Sequence, residues 1–191
     1  MELVKNFTQS KLIKYLLIAL IGSIVLAISS KIKIPFYPVP MTMQTLVVLI
    51  IGIGFGWKLG VATIALYLFE GIIGLPVFSG TPEKGVGFAY FTGPTMGYLI
   101  GFLVAVYFAG IFKNLFKRFN HKYFDILVIF SWLTFSVSFI YILGLLWLGY
   151  LIGWDKPIFE LGAQPFLLAE LFKITLLTIL YPWIKKINKI I

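Results

Sequence analysis

An all-α membrane protein with six transmembrane helices is the fold class predicted, and three observations predict it. Hydrophobic residues make up 60% of the 191 positions before the 18 glycines are counted, and charged residues only 12%; soluble domains carry about 45–50% apolar residues, glycine included, and about 25% charged ones. The mean hydropathy of +1.00 agrees. The apolar residues also fall in six long runs punctuated by proline, glycine and lysine. Six spans of about 20 residues use roughly 120 positions and leave about 70 for loops and ends. Residues 1–191 therefore read as a single integral membrane domain.

The first helix is expected over residues 12–30, after Lys5, Lys11 and Lys14. Ala27-Ile28-Ser29 resembles a small-x-small cleavage site, but five more runs follow, so the segment is read as an uncleaved first span. Helices 41–57 and 59–75 are separated by Lys58 alone and need a tight turn between them. The remaining spans are expected at 94–112, 126–150 and 165–184. The fifth run stays apolar as far as Gly153, so it tilts or feeds a loop. Pro35, Pro38 and Pro40 hold the first connection extended and Pro76 closes the third helix. Pro94 and Pro165 suit first turns, where the missing N–H costs nothing. The connection 75–93 is rich in glycine yet carries Phe78, Phe88, Tyr90 and Phe91, so it is expected to pack on the protein.

Orientation follows from the basic residues. With six spans, one side receives eleven of them: Lys5, Lys11, Lys14, Lys58, Lys113, Lys117, Arg118, Lys122, Lys185, Lys186 and Lys189. The other side receives four, Lys31, Lys33, Lys84 and Lys156. That bias puts both termini in the cytoplasm. The two halves of the chain share no alignable motif, so an inverted-repeat transporter finds no support.

Several chemistries are excluded. Without cysteine there is no disulfide, thiolate zinc site or cysteine nucleophile, and the single histidine, His121, rules out a histidine metal cluster. The net charge of +9 follows membrane topology and forms no basic face for nucleic acid. With no HExxH motif and no aspartate within a span a general base is hard to nominate, so an intramembrane enzyme such as a protease or phospholipid transferase stands as the less favoured alternative. There is no phosphate-binding Gly-x-x-x-x-Gly-Lys-Ser/Thr loop, so any ATP hydrolysis belongs to partners.

Polar residues at membrane depth mark function by default. Glu170 and Lys173 lie roughly 8–12 Å inside the outer end of the sixth helix, and Glu70 lies at a similar depth on the third. Thr42, Gln44 and Thr45 begin the second helix, and Thr95 and Tyr98 the fourth. Four helices thus bring polar groups to one level, beneath the first and third connections, which describes a pocket open to the outside. Blander roles are available: Glu170 and Lys173, spaced i,i+3, can neutralise each other, Glu70 can snorkel, and Gln44 can bond between helices. Ala19, Ser23 and Ala27 form a small-residue stripe on the first helix that would admit either a partner helix or an internal neighbour. The aromatic residues are assigned to interfacial belts and core.

Four ordered motifs resemble the BioY family, the biotin-specific substrate-binding (S) components of energy-coupling factor (ECF) transporters. They are Pro38-Val39-Pro40-Met41-Thr42-Met43-Gln44-Thr45, Gly74-Leu75-Pro76-Val77-Phe78, Gly93-Pro94-Thr95-Met96-Gly97-Tyr98, and Pro165-Phe166-Leu167 followed by Glu170 and Lys173. The resemblance covers roughly residues 38–173. It departs from the family at Ala169-Glu170, where Gly-Asp is usual, at Met96, which replaces a glycine, and at Thr81-Pro82-Glu83-Lys84, where the family is small and glycine-rich. It implies high-affinity biotin capture in the bacterial cell (inner) membrane, without catalysis, metal or cofactor. The implied partners are a transmembrane coupling (T) subunit and two cytoplasmic ATPase subunits. Substrate-binding residues would be Thr42, Gln44, Glu70, Tyr98, Glu170 and Lys173, with Lys173 near the carboxylate and Glu170 with Gln44 near the ureido edge, or the reverse. Ala19, Ser23 and Ala27 would become the docking face. An S component for thiamine or riboflavin is the alternative, although a lysine in the pocket favours an anion.

Overall fold

The computed structural model describes residues 2–34, 37–83, 85–115 and 122–190. Expectations concerning Pro35, Lys84, Lys117, Arg118 and His121 lie outside the described residues. Helix α1 is Glu2–Lys31. Two-residue strands follow, β1 (Lys33–Ile34) and β2 (Met41–Thr42), paired antiparallel with Lys33 opposite Thr42. The helical stretch Gln44–Ile72 contains Gly56 at φ 77°, ψ 171°, a conformation essentially restricted to glycine. There the chain doubles back: Gln44 hydrogen-bonds Tyr67, and Gly60 abuts Ile51 and Gly52. The two arms, 44–55 and 57–72, are called α2 and α3.

A 3-10 helix, Gly87–Thr92, leads to α4 (Met96–Leu115), and α5 is Lys122–Ile152. A helical turn, Ile158–Gly162, and a 3-10 turn, Gln164–Phe166, precede α6 (Leu167–Ile190). Six helical arms are therefore present among the described residues, at shifted boundaries. Met41 belongs to a strand, because its backbone pairs with Ile34 before α2 can begin. The hairpin turns at Gly56 and not at Lys58, since only the glycine tolerates the required dihedrals. Pro94 and Pro165 stand in the turns before α4 and α6, outside the first helical turns proper. Helix α3 stops at Ile72, ahead of Pro76.

Among the described residues, four helical stretches are long and apolar enough to cross a membrane: Lys11–Lys31, Gln44–Ile72, Tyr123–Ile152 and Ile158–Ile187; Met96–Phe112 is shorter. Counted singly, α2 and α3 reach roughly 18 and 24 Å, short of a hydrocarbon core of about 30 Å. Strand β2 at 41–42 leads into α2, and non-helical backbone is tolerated at membrane depth only where protein covers it. The lipid-facing flanks are apolar, with Leu168 and Phe172 on α6 and Tyr150 on α5 each more than 70% exposed. In water so extensive an apolar surface would aggregate, so the chain is a multi-pass membrane protein.

Inside, α4 is the spine. Its Gly97 lies against the Leu143 carbonyl, and a Cβ on Gly101 would fall 2.6 Å from the Ile140 Cα, so α4 and α5 meet backbone to backbone. Two apolar clusters fill the bundle. One surrounds Tyr67, Phe78, Tyr98 and Phe102, and the other Phe112, Leu133, Leu177 and Tyr181. The first walls the cavity described next.

Candidate functional site

Glu170 and Lys173 lie three residues apart on α6, so their side chains project from one face. Both are buried, and Lys173 Nζ stands 2.7 Å from Glu170 Oε1. The ammonium also donates to the Thr42 carbonyl at 2.8 Å and to Thr45 Oγ1 at 2.9 Å. Its three donors are thereby occupied. The Thr42 carbonyl is available because β2 ends there and α2 begins only at Gln44. Thr45 Oγ1 in turn donates to Glu170 Oε1 at 2.8 Å. The carboxylate's other oxygen, Oε2, is buried and makes no hydrogen bond, with Tyr141 beside the same carboxyl. An unsatisfied buried acceptor costs about 1–3 kcal/mol, and here it belongs to a residue on a cavity wall.

That cavity has about 50 Å3 of free space, far below the roughly 300–1,000 Å3 of ligand pockets. The walls stand close together and must part to admit more than a water or two. Thr42, Gln44, Thr45, Thr95, Tyr98 and Glu170 all line it. Most of the expected polar residues therefore converge from α2, α4 and α6. Lys173 is tied to the wall through Glu170 and itself lines an adjoining apolar groove of about 630 Å3 between β1–β2 and α6. Met41 and Thr42 border both spaces.

Gln44 is buried, accepting from Thr42 Oγ1 at 3.1 Å and donating to the Tyr67 hydroxyl at 2.8 Å. Tyr98 donates to the Gly162 carbonyl at 2.8 Å and so pins the short helix before α6 to the cavity. Aromatic residues supply much of the remaining wall, namely Tyr90, Phe102, Tyr141 and Phe166. The sequence reading missed them by assigning aromatics to belts and core. The available signal was Tyr98 and Phe102, one helical turn apart on the face that carries Thr95. Burial raises the Tyr90 phenol pKa, partly opposed by Thr95, which keeps the hydroxyl a neutral donor to the Ser79 carbonyl at 2.7 Å.

Two expectations are placed elsewhere. Glu70 is half-buried, accepts from Ser23 Oγ at 2.8 Å and is not among the cavity residues. Ala19 and Ser23 are buried and Ala27 is half-buried against the core, so the stripe is an internal packing surface in this conformation and not an open docking face. The reason is steric. Gly22 beside Ser23 lies against Thr63 and Phe55 of the hairpin, and small side chains permit that approach. Leu16, Leu20, Ile24 and Ile28 occupy the exposed side of α1. Among the described residues no group of three His, Asp or Glu could hold a metal ion.

Comparison with known proteins gives a consistent result. Residues 4–189 match the BioY family. A probable biotin transporter BioY from Pyrococcus horikoshii is 33% identical over 147 residues, which cover 77% of this chain and 81% of that protein. Biotin transporter BioY2 from Lactococcus lactis is 33% identical over 173 residues, covering 90% and 89%. Among solved structures, the S-component for biotin from an ECF-type ABC transporter superposes with a TM-score of 0.72 at 24% identity, covering 93% of each chain. That likeness speaks to the fold.

Proposed function

The chain belongs to the BioY family, and from that premise we propose that it captures biotin as the substrate-binding subunit of an ECF transporter. The observation that carries the ligand assignment is the buried Oε2 of Glu170, which makes no hydrogen bond, on a cavity wall of aromatic and aliphatic side chains interspersed with a few threonine, glutamine and tyrosine groups. Biotin offers a fused, mostly apolar ring with N–H donors on its ureido edge. Apolar walls with a few placed polar groups suit such a ligand.

With Nζ 2.7 Å from Oε1, Lys173 and Glu170 cannot meet opposite ends of one extended ligand. They act as one unit at one end, with Oε2 accepting a ureido N–H and Gln44 beside it. Lys173 holds that carboxylate in place and ties α6 to the start of α2. Thr42 and Tyr98 complete the polar lining. Glu70 stays outside this arrangement. No bond of the ligand is made or broken, and no cofactor is needed.

In this reading the six arms cross the bacterial cell membrane with both termini cytoplasmic, as the basic residues favour, and the cavity opens outward. A transmembrane coupling subunit and two cytoplasmic ATPases supply the energy. Ala19, Ser23 and Ala27 would meet the coupling subunit once α1 moves off α3. Calorimetric titration of biotin into the purified, folded protein tests the ligand, with thiamine and riboflavin as controls. Saturable heat with biotin alone is expected; no heat with biotin from a folded sample refutes the assignment.

A further inference from the structure

The short segment 77–81 lies between α1 and the cavity, and nearly every backbone carbonyl it offers is taken. Ser30 Oγ, in the last turn of α1, stands 2.7 Å from the Val77 carbonyl. Next along α1, Lys31 Nζ donates to the Phe78 carbonyl at 2.9 Å, to the Thr81 carbonyl at 3.3 Å and to Thr81 Oγ1 at 3.1 Å. From the opposite side the Tyr67 hydroxyl donates to the same Val77 carbonyl at 3.0 Å. The Tyr90 hydroxyl donates to Ser79. The Phe78 ring, 1% exposed, stacks on Tyr90 with centroids 4.8 Å apart and meets Tyr67 edge-on at 5.2 Å.

Two of these contacts continue to the ligand site. Tyr90 lines the cavity. Tyr67 is fully buried and lies outside the lining, but its hydroxyl receives the Gln44 amide, and Gln44 lines the cavity. One carbonyl, Val77 O, is thus shared by α1 and by the residue that orients Gln44. We infer that segment 77–81 is a coupling hub, with Tyr67 and Lys31 as positioning residues that link the outer end of α1 to the polar and aromatic walls of the cavity.

The consequence is reciprocal, as coupling between two sites must be. Displacing the end of α1 pulls on Val77 and Phe78 and disturbs Gln44 and Tyr90; a ligand that holds Gln44 and Tyr90 in turn holds α1. The exposed flank of α1 is where a membrane partner could exert such a pull. This inference rests on the biotin-capture reading, and the test separates the two.

The chain contains no cysteine, so spin labels at Ile28→Cys on α1 and Tyr150→Cys on α5, both exposed positions, report one distance by pulsed EPR. Calorimetry on the same samples in lipid nanodiscs follows biotin itself. In the labelled parent, biotin is expected to shift or narrow the distance distribution. Tyr67→Phe, which removes only the hydroxyl, should still bind biotin, roughly 3–10-fold more weakly, as loss of one buried hydrogen bond implies, but lose the distance response. Lys31→Met, which never touches the cavity, should do the same and serves if Tyr67→Phe fails to fold. An unchanged ligand response in a folded variant, or no response in a parent that binds biotin, overturns the hub. A folded parent that binds no biotin overturns the ligand reading instead.

Discussion

Glu170 is buried against Lys173 and Thr45 on a cavity wall, whereas Glu70 is half-buried against Ser23 on the flank that faces α1. Both are carboxylates within apolar helices. What separates them is their neighbours: α6 presents Glu170 to Thr45 and, through Lys173, to the Thr42 carbonyl, while α3 presents Glu70 to a helix whose small side chains let it approach. Depth in the membrane therefore identifies a costly residue, and the surface it faces decides whether the cost serves a ligand or a helix contact.

The sharpest way to break this contrast is Lys173→Ala. It leaves Glu170 buried without its cation and is expected to cost about 3–5 kcal/mol of stability, as removal of one partner from a buried pair typically does. Thermal unfolding in detergent and calorimetry should show a lowered Tm and lost biotin binding; an unchanged Tm would mean that the pair is dispensable. Glu170→Gln keeps the shape and one acceptor but removes the charge. A hydrogen bond to a charged group is worth about 1.5–3 kcal/mol, so biotin affinity should fall roughly 10–100-fold, and full retention of affinity would remove Oε2 from the site.

The other side of the contrast predicts smaller effects. Ser23→Ala removes the hydroxyl that donates to Glu70 and should lower stability by about 1 kcal/mol while biotin affinity stays within about twofold. A large loss of affinity would place α1 in the ligand site directly. Glu70→Gln can still accept from Ser23 and should change stability by less than about 0.5 kcal/mol, within the range of substitutions outside the core. Biotin titration should be indistinguishable from the parent, and weakened binding would return Glu70 to the pocket.

Much of this architecture is legible from the chain alone. Runs of apolar residues between prolines and lysines locate most arm ends to within about four positions, although α1 begins ten residues earlier, at Glu2, and α6 runs six further, to Ile190; the polar residues at and before the starts of α2 and α4 meet those of α6. The turn of the hairpin is less legible, because Lys58 draws the eye while the deciding property is the backbone freedom of Gly56. Facing is the larger difficulty. These helices are apolar on nearly every side, so periodicity does not separate lipid from core. For that reason the sequence alone does not tell that Glu70 faces Ser23, or that Ala19 and Ser23 are buried against the bundle. The aromatic walls escaped notice because a phenol in a cavity and a phenol at a membrane interface are the same letters.

The glycines of α4 also set the direction in which the cavity can widen. Where Gly97 and Gly101 let α4 and α5 touch along their backbones, no side chains remain to tilt or slide, and the α2 backbone meets α4 as closely at Gly52, where an added Cβ would lie 2.9 Å from the Val106 carbonyl. That half of the bundle behaves as a fixed jaw. Widening is then expected on the opposite side, at α1 and the described connections 37–43, 73–83 and 85–95, as a one-sided movement about the α2–α4–α5 block.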